Sequence, residues 1–593
     1  MTANKPTQKN PEIAWKQKLQ PLWPIALLIA VTVAVYVNSL PNGFVFDDMG
    51  TIVENVHIKH LGKNFPSFFS RSYYKIAHGE ASYRPVATLS YYLLYALFGL
   101  NPFGYHLFSL ALHIFNVVLV YLLAKRLLGN KTFSLTAGLL FACHPVLTEV
   151  VDCISYNDDL LAAFFFFLSL LLYLKLNAGA AKRNSLFLGL SLLFYLLGLL
   201  SKEMALTLPM VIFVYDWVLK KAGDQPPSLA TALKTVFQQK YYYLGYAAIT
   251  LFYLWIRFWA LSNPQGAANP VWGSLRERII YLPVLFFTYI KLILFPLVLN
   301  ADYVFSYPSR FFEIYNMVAL LLTTGLIVFS FWIYKRIRVI SFGIWWFFIT
   351  LLPVYNIIPL FNPLAERYLY IPLFGFCLVV AATMSMAAKR MPGKMITVFT
   401  LLVVFIIVIF YATITINRNR DWRDGYSLWT QTLKTSPDSV KAHGNLARVY
   451  MDRGLVEKSL REIKKTIGLN PKGYKAYYNL GVLLAKQGLF ADAVRAYKKA
   501  IEKNPAYGNA HFNLANLYKE QNMLAEAAQE YQKTVQLDGQ DVEARNNLGV
   551  IYAMQDNLED AVSQWEKVLE IEPDNQMARD NILKARKLLD NPQ

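Results

Sequence analysis

The sequence predicts an all-α protein: a polytopic helical membrane domain of about eleven spans followed by a C-terminal α-solenoid. Three observations predict it. The 593 residues are 55% hydrophobic and 15% aromatic with only 16% charged, too apolar for one soluble globule. Apolar runs of spanning length recur up to residue 416, and beyond Pro437 the chain turns polar and repeats at a fixed interval.

Charge divides the chain in the same place. The formal net charge is +19, yet the region from Pro437 onward holds 22 Lys and Arg against 21 Asp and Glu, so nearly all the excess precedes it. There the cations cluster between apolar runs, as in cytoplasmic loops under the positive-inside rule. Nucleic-acid binding is excluded as a reading, because the polar region carries no basic stripe. The three cysteines, Cys143, Cys153 and Cys377, build neither a disulfide framework nor a CxxC metal site.

Residues 1–21, with Lys5, Lys9, Lys16 and Lys18, read as a cytoplasmic tail. The run from Leu22 to Leu40 is long enough to cross a ~30 Å hydrocarbon core and has no small-x-small cleavage site, so an uncleaved first span is preferred to a signal peptide. Further spans are expected at 103–124, 133–150, 159–176, 186–201, 204–219, 241–260, 314–334, 341–360, 368–388 and 395–416. Segment 279–299 is apolar enough to be a twelfth. A twelfth crossing would misplace the cations Lys335, Arg336 and Arg338, so it is expected as a re-entrant or interfacial helix. Eleven spans put the C-terminal domain outside the cytoplasm; twelve would put it inside. The membrane domain is thus 22–416, with an extracytoplasmic loop at 42–102 whose end, from Ser90 to Leu100, reads as an interfacial helix. Residues 417–436 read as a connecting helix or degenerate repeat, and 437–593 as the solenoid.

Pro437, Pro471, Pro505, Gly539 and Pro573 are each 34 residues apart, the tetratricopeptide (TPR) period. Ala442, Ala476, Ala510 and Ala544 recur in step, as do Ala447, Gly481, Ala515 and Gly549; small residues there let paired helices approach. Four repeats and a capping helix exceed the roughly three that bury a continuous core. The recurrent tyrosines read as inter-helix core, and the groove as a surface for a polypeptide.

Candidate chemistry lies in the expected outer loops. Asp47 and Asp48 follow the first span as adjacent carboxylates, and a helix cap is an equal reading. Arg84, in Tyr83-Arg84-Pro85, offers a planar fork for phosphate, with snorkelling as the bland alternative; His106 stands at the mouth of the next span. His144, Glu149, Asp152, Asp158 and Asp159 crowd the next outer connection. A divalent metal is conceivable on His144, Glu149 and Asp158, with a hydrogen-bonded network favoured, and no cofactor is required. Lys202 and Glu203 read as a mutually neutralising pair in a short turn at least as readily as functional groups. Glu366 and Arg367 precede Tyr368, and Lys291 adds a cation. Jointly Arg84, Lys291 and Arg367 suggest an anion pocket at the membrane surface. A carboxylate base beside fixed cations suits transfer from a lipid-anchored phosphate to a hydroxyl.

In these pieces, FVFDD at 44–48, YRP at 83–85, HPVLTE at 144–149, SKE at 201–203, AERYLYIP at 365–372 and the repeats, the chain resembles the transmembrane and tetratricopeptide-repeat-containing O-mannosyltransferases and their bacterial relatives, of the GT-C glycosyltransferase class. The resemblance implies a GT-C-like membrane domain, a polyprenyl-phosphate monosaccharide donor, inversion at the sugar, and a protein hydroxyl acceptor bound by the TPR groove. It assigns the base to Asp48 or Asp47, with Asp48 slightly favoured, and the carrier phosphate to Arg84, Arg367 and Lys291. His144, Glu149 and Asp158 would shape the site, with Lys202, Glu203, Glu366 and His106 around it. The third loop reads SYNDD where the family has something nearer GRAD. A bacterial inner membrane with periplasmic repeats is expected, or an endoplasmic reticulum membrane with luminal repeats. Two other functions remain: a non-catalytic TPR scaffold for envelope assembly, and a GT-C enzyme with a lipid or glycan acceptor.

Overall fold

The computed structural model describes residues 22–59, 83–176, 181–220, 229–260, 274–304, 313–357, 360, 362–390 and 394–590. The expected tail 1–21 and the middle of the outer loop, 60–82, lie outside the described residues. Among the described residues every regular element is helical. The chain divides into two units, Met1–Leu428 and Trp429–Gln593.

The first unit runs α1 Trp23–Tyr36, α2 Pro85–Phe98, α3 Pro102–Leu128, α4 Lys131–Cys143, α5 Thr148–Asp152, α6 Asn157–Tyr173, α7 Ala181–Ser201, α8 Leu208–Tyr215, α9 Leu229–Gln238, α10 Lys240–Leu254, α11 Leu275–Leu294, α12 Ile314–Tyr334, α13 Arg338–Thr350, α14 Leu373–Arg390 and α15 Lys394–Arg418. Local chemistry sets the ends. Asn101 accepts from the Phe103 amide and Pro102 opens α3, while Gly129, at φ 66°, closes it after Lys125 and Arg126. Asn130 then caps α4 through the Thr132 and Phe133 amides.

Several apolar helices of the expected membrane domain are present among the described residues. Five helices are long and apolar enough to cross a bilayer: Pro102–Leu128, Ile154–Tyr173, Asn184–Ser201, Ile314–Tyr334 and Leu401–Arg418. The expected third span is a bent pair, Lys131–Cys143 and Pro145–Asp152, turned by 50° because proline has no amide to continue the ladder. The spans expected at 204–219 and 241–260 end in π-helical turns, Asp216–Lys220 and Trp255–Ala260. Trp23–Ser39, Arg338–Val354 and Leu373–Lys389 are shorter apolar helices. The segment expected to be a re-entrant or interfacial helix forms the continuous helix α11, intact through Pro283 and ended at Phe295.

Close packing holds α13 against α14. A Cβ on Gly375 would lie 2.5 Å from the Gly343 carbonyl oxygen, so here the two backbones touch. Beside this crossing, Trp346 donates to the Ile371 carbonyl at 2.9 Å and meets Phe374 edge-on at 4.8 Å.

The second unit realises the expected repeats. Helix pairs Val440–Asp452 with Val456–Leu469, Tyr474–Lys486 with Phe490–Lys503, Gly508–Glu520 with Leu524–Leu537, and Val542–Met554 with Leu558–Ile571 keep the 34-residue step, and Gln576–Asp590 caps them. The turn within each pair uses a left-handed residue in register: Gly454, Gly488, Asn522 and Asp556. Gly481 and Gly549 are small because the Tyr497 and Trp565 rings occupy the space of a Cβ. Tyr497, Tyr518 and Tyr531 are buried core, as the spacing predicts. Two alternate repeats share a clamp: His443 bonds Glu462 and the Pro437 carbonyl, and His511 bonds Glu530 and the Pro505 carbonyl.

Two outcomes are expected. Gly375→Val overpacks the α13–α14 crossing and costs about 1–3 kcal/mol, read as a lower thermal midpoint of the detergent-solubilised protein. Burial opposes charging of His511, but Glu530 and the Pro505 carbonyl outweigh it and raise its pKa above the ordinary histidine value. The resulting stabilisation is full below the unfolded pKa and lost as pH rises through the folded one. The repeat unit of the full chain therefore melts later at pH 6 than at pH 8, and His511→Gln flattens that difference.

Candidate functional site

After α1 the chain is fastened to the end of α15: Asn42 donates to the Asn419 carbonyl at 3.0 Å and Gly43 to the Arg423 carbonyl at 2.9 Å. Phe46 then takes a left-handed φ of 57°, an uncommon conformation for a bulky residue. Its ring is held edge-on by Tyr156 and Trp422. The next two carboxylates go to different environments. Asp48 is fully buried and accepts from the Val45 amide at 3.1 Å and the Ser155 amide at 2.6 Å, tying the first loop to the connection before α6. Burial pushes its carboxyl up to about 6, with the Val45 and Ser155 amides pulling partly back. Asp47 is exposed and accepts one bond, from the Tyr156 hydroxyl at 2.9 Å.

Tyr156 is where the predicted pieces meet. The Arg367 guanidinium lies 4.5 Å from its ring centroid and the Lys202 ammonium 5.8 Å from it. Arg367, in the turn Glu366–Leu369, is fixed by Glu149 of α5: Nη1 donates at 2.6 Å and the backbone amide at 2.9 Å. Lys202, between α7 and α8, reaches Asp159 at 2.5 Å and Asp158 at 3.3 Å. Both aspartates lie in the first turn of α6, where the helix dipole favours negative charge. Arg84, at the start of α2, pairs with Asp158 at 2.5 Å and Glu203 at 3.0 Å. Separate chain segments thus bring the exposed Asp47 and the buried, paired cations Arg367 and Lys202 to one tyrosine, with the half-buried Arg84 linked through Asp158. The cations cannot be left bare in an apolar bundle, and each is held by hydrogen-bonded carboxylates.

Other sequence candidates fall outside this cluster. Glu366 is buried, bound by both Arg418 contacts at 2.9 and 3.0 Å and by the Asn300 amide. His144 accepts from the Val146 amide through Nδ1, so Nε2 donates to the Ile293 carbonyl of α11 at 3.0 Å. The conceived metal set is corrected accordingly: His144 faces α11, Glu149 holds Arg367 and Asp158 holds Arg84. Among the described residues no group of three His, Cys, Asp or Glu side chains is placed to hold a metal. His106 is buried in α3. Lys291 is exposed in the last turn of α11 and has no ion-pair partner among the described residues.

Sequence reasoning missed two participants, Arg257 and Arg418. Arg257 is buried in the π-turn after α10, donates to the Tyr253 hydroxyl at 2.6 Å and lies 3.5 Å from Glu203. An ionisable residue inside an apolar aromatic run, Trp255 to Trp259, was the available signal. Arg418 ends α15 and also donates to Thr148 at 2.9 Å. Tyr156 stood in the SYNDD stretch of the sequence but was given no role of its own there.

Residues 82–256 match the family described as dolichyl-phosphate-mannose-protein mannosyltransferase, and 445–508, 478–542 and 512–576 match the tetratricopeptide repeat. Protein O-mannosyl-transferase F38B6.6 of Caenorhabditis elegans is 26% identical, covering 77% of this chain and 64% of its own length. Protein O-mannosyl-transferase TMTC3 of Homo sapiens is 25% identical, covering 74% of this chain and 50% of its own. The chain spans about half to two thirds of the length of these relatives.

Asp48 is expected to act through structure. Asp48→Ala leaves two buried amides without their acceptor and destabilises the protein by about 1–3 kcal/mol, measurable as an earlier unfolding midpoint in detergent.

Proposed function

We propose that this membrane protein, which joins a mannosyltransferase-type domain to tetratricopeptide repeats and has protein O-mannosyl-transferases as relatives, moves a hexose, mannose first among them, from a polyprenyl-phosphate donor to a protein hydroxyl. The observation that carries this reading is the meeting of Asp47, Arg367 and Lys202 around Tyr156, with Arg84 joined to it through Asp158, which Lys202 also holds. Asp47 is the base: it is exposed and has one bond, whereas the two amides on Asp48 engage both oxygens of a buried carboxylate.

Asp47 takes the proton of the acceptor hydroxyl as that oxygen bonds to the anomeric carbon. The bond from that carbon to the phosphate oxygen breaks on the opposite face, and its electron pair leaves with the carrier phosphate. Configuration inverts in this single displacement. The guanidiniums of Arg84 and Arg367 stabilise the charge that grows on the phosphate, which is where fixed cations lower a barrier most. Lys202 holds Asp158 and Asp159 in place. The repeats bind the acceptor polypeptide, and the reaction takes place on the extracytoplasmic face.

The test is transfer or slow hydrolysis of labelled polyprenyl-phosphate mannose by the full chain in lipid. Asp47→Asn is expected to lower turnover by at least about 100-fold, in the range seen when a general base is removed, with little change in thermal midpoint. Full activity in that variant would remove Asp47 from the chemistry, and no turnover by wild type with several sugars would favour the scaffold reading.

A further inference from the structure

Glu203 occupies a position that suits an anion arriving from outside. Two guanidiniums from separate elements grip it, one oxygen each: Arg84 Nη2 lies 3.0 Å from Oε1 and Arg257 Nη1 lies 3.5 Å from Oε2. Among the three side chains the carboxylate is the most accessible, 20% exposed against 17% for Arg84 and 4% for Arg257. Each guanidinium also keeps a buried Nε–H with no acceptor among the described residues. Leaving such donors unmet in an apolar setting is costly, and a planar carboxylate with two oxygens does not satisfy both forks. A tetrahedral phosphate carries more acceptor oxygens and matches guanidinium forks well. The charges around the pair are Asp158 on Arg84 and Lys202 on Asp158, while Arg257 has the neutral Tyr253 hydroxyl as its other partner.

We propose that Arg84 and Arg257 form a cradle for a lipid-linked phosphate and that Glu203 is its internal occupant, displaced when the phosphate enters and returning as it leaves. This rests on the polyprenyl-phosphate reading above, and adds to it a second guanidinium and a built-in competitor. The shared chemistry is a phosphate group, as diester in the sugar donor and as monoester in the released carrier. Burial raises the pKa of Glu203, but the two guanidiniums outweigh it and hold the carboxyl well below its usual range, so the occupant is anionic at any working pH. Glu203 therefore weakens phosphate binding and speeds release of the spent carrier.

The experiment measures binding to the full chain in lipid nanodiscs, with undecaprenyl phosphate as one probe and inorganic phosphate as the other. Glu203→Gln is expected to bind undecaprenyl phosphate at least fivefold more tightly than wild type, and Arg257→Met at least tenfold more weakly, with Arg257→Lys between Met and wild type. Glu203→Asp, which keeps the charge but shortens the reach, is expected to tighten binding by less than Glu203→Gln, and serves if the amide variant does not fold. The same order with inorganic phosphate assigns the cradle to the phosphate alone; the order with the lipid only assigns it to the carrier's phosphate end. Unchanged or weaker lipid binding in folded Glu203→Gln, or wild-type binding in Arg257→Met, overturns the proposal. Because binding needs no turnover, the variant order without any sugar transfer would refute the transferase reading and leave the cradle standing.

Discussion

A charged side chain enclosed by apolar helices must have a partner, and the first unit is organised around that constraint. Arg367 is held by Glu149, Arg418 by Glu366, Lys202 by Asp159, and Arg84 by Asp158 and Glu203. Each pair joins segments distant in sequence, so satisfying the charges also gathers the loops. Removing one member of such a pair leaves the other buried and unmatched, which makes the arrangement rigid. Rigidity is what electrostatic stabilisation of a leaving phosphate requires, since the cations must already be in place when charge develops.

The same loops show how a small backbone feature sorts two identical groups. Asp47 and Asp48 differ by one residue, but the left-handed Phe46 precedes them and its ring is wedged between Tyr156 and Trp422. One carboxylate enters the interior, where two amides wait, and the other stays outside within reach of a single hydroxyl. The buried member fastens the first loop to the segment bearing Tyr156, so the exposed member is positioned through its neighbour. Steric contact does the equivalent work elsewhere: Gly343 against Gly375 brings α13 and α14 together, and Gly481 and Gly549 make room for large rings in the repeats.

Periodicity made the repeats legible to the residue, because a 34-residue step is a local property that each helix pair obeys by itself. Apolar runs likewise announced a helical membrane unit, although they did not foretell the 50° bend at Pro145 or the π-turns at 216–220 and 255–260. Hydropathy sums over a window and does not see the hydrogen bonds that interrupt it. For the site, the sequence showed the charged pieces singly: Arg84, Glu149, Asp158, Lys202, Glu203, Glu366 and Arg367 all stood out as ionisable groups beside apolar runs. It leaned towards Asp48 over Asp47, and it did not separate Lys291 and His144 from the cluster.

By itself, then, the amino-acid sequence determined the all-α class, the division into apolar and repeat regions, and the kinds of group available for chemistry. These follow from composition, period and side-chain type, which need no knowledge of distant neighbours. Only the tertiary structure decided which charges pair, that Tyr156 lies between the exposed carboxylate and two cations, and that Arg257 shares Glu203 with Arg84. Those relations join residues as many as 218 positions apart, and their energies depend on burial and distance, quantities that exist only once the helices have packed.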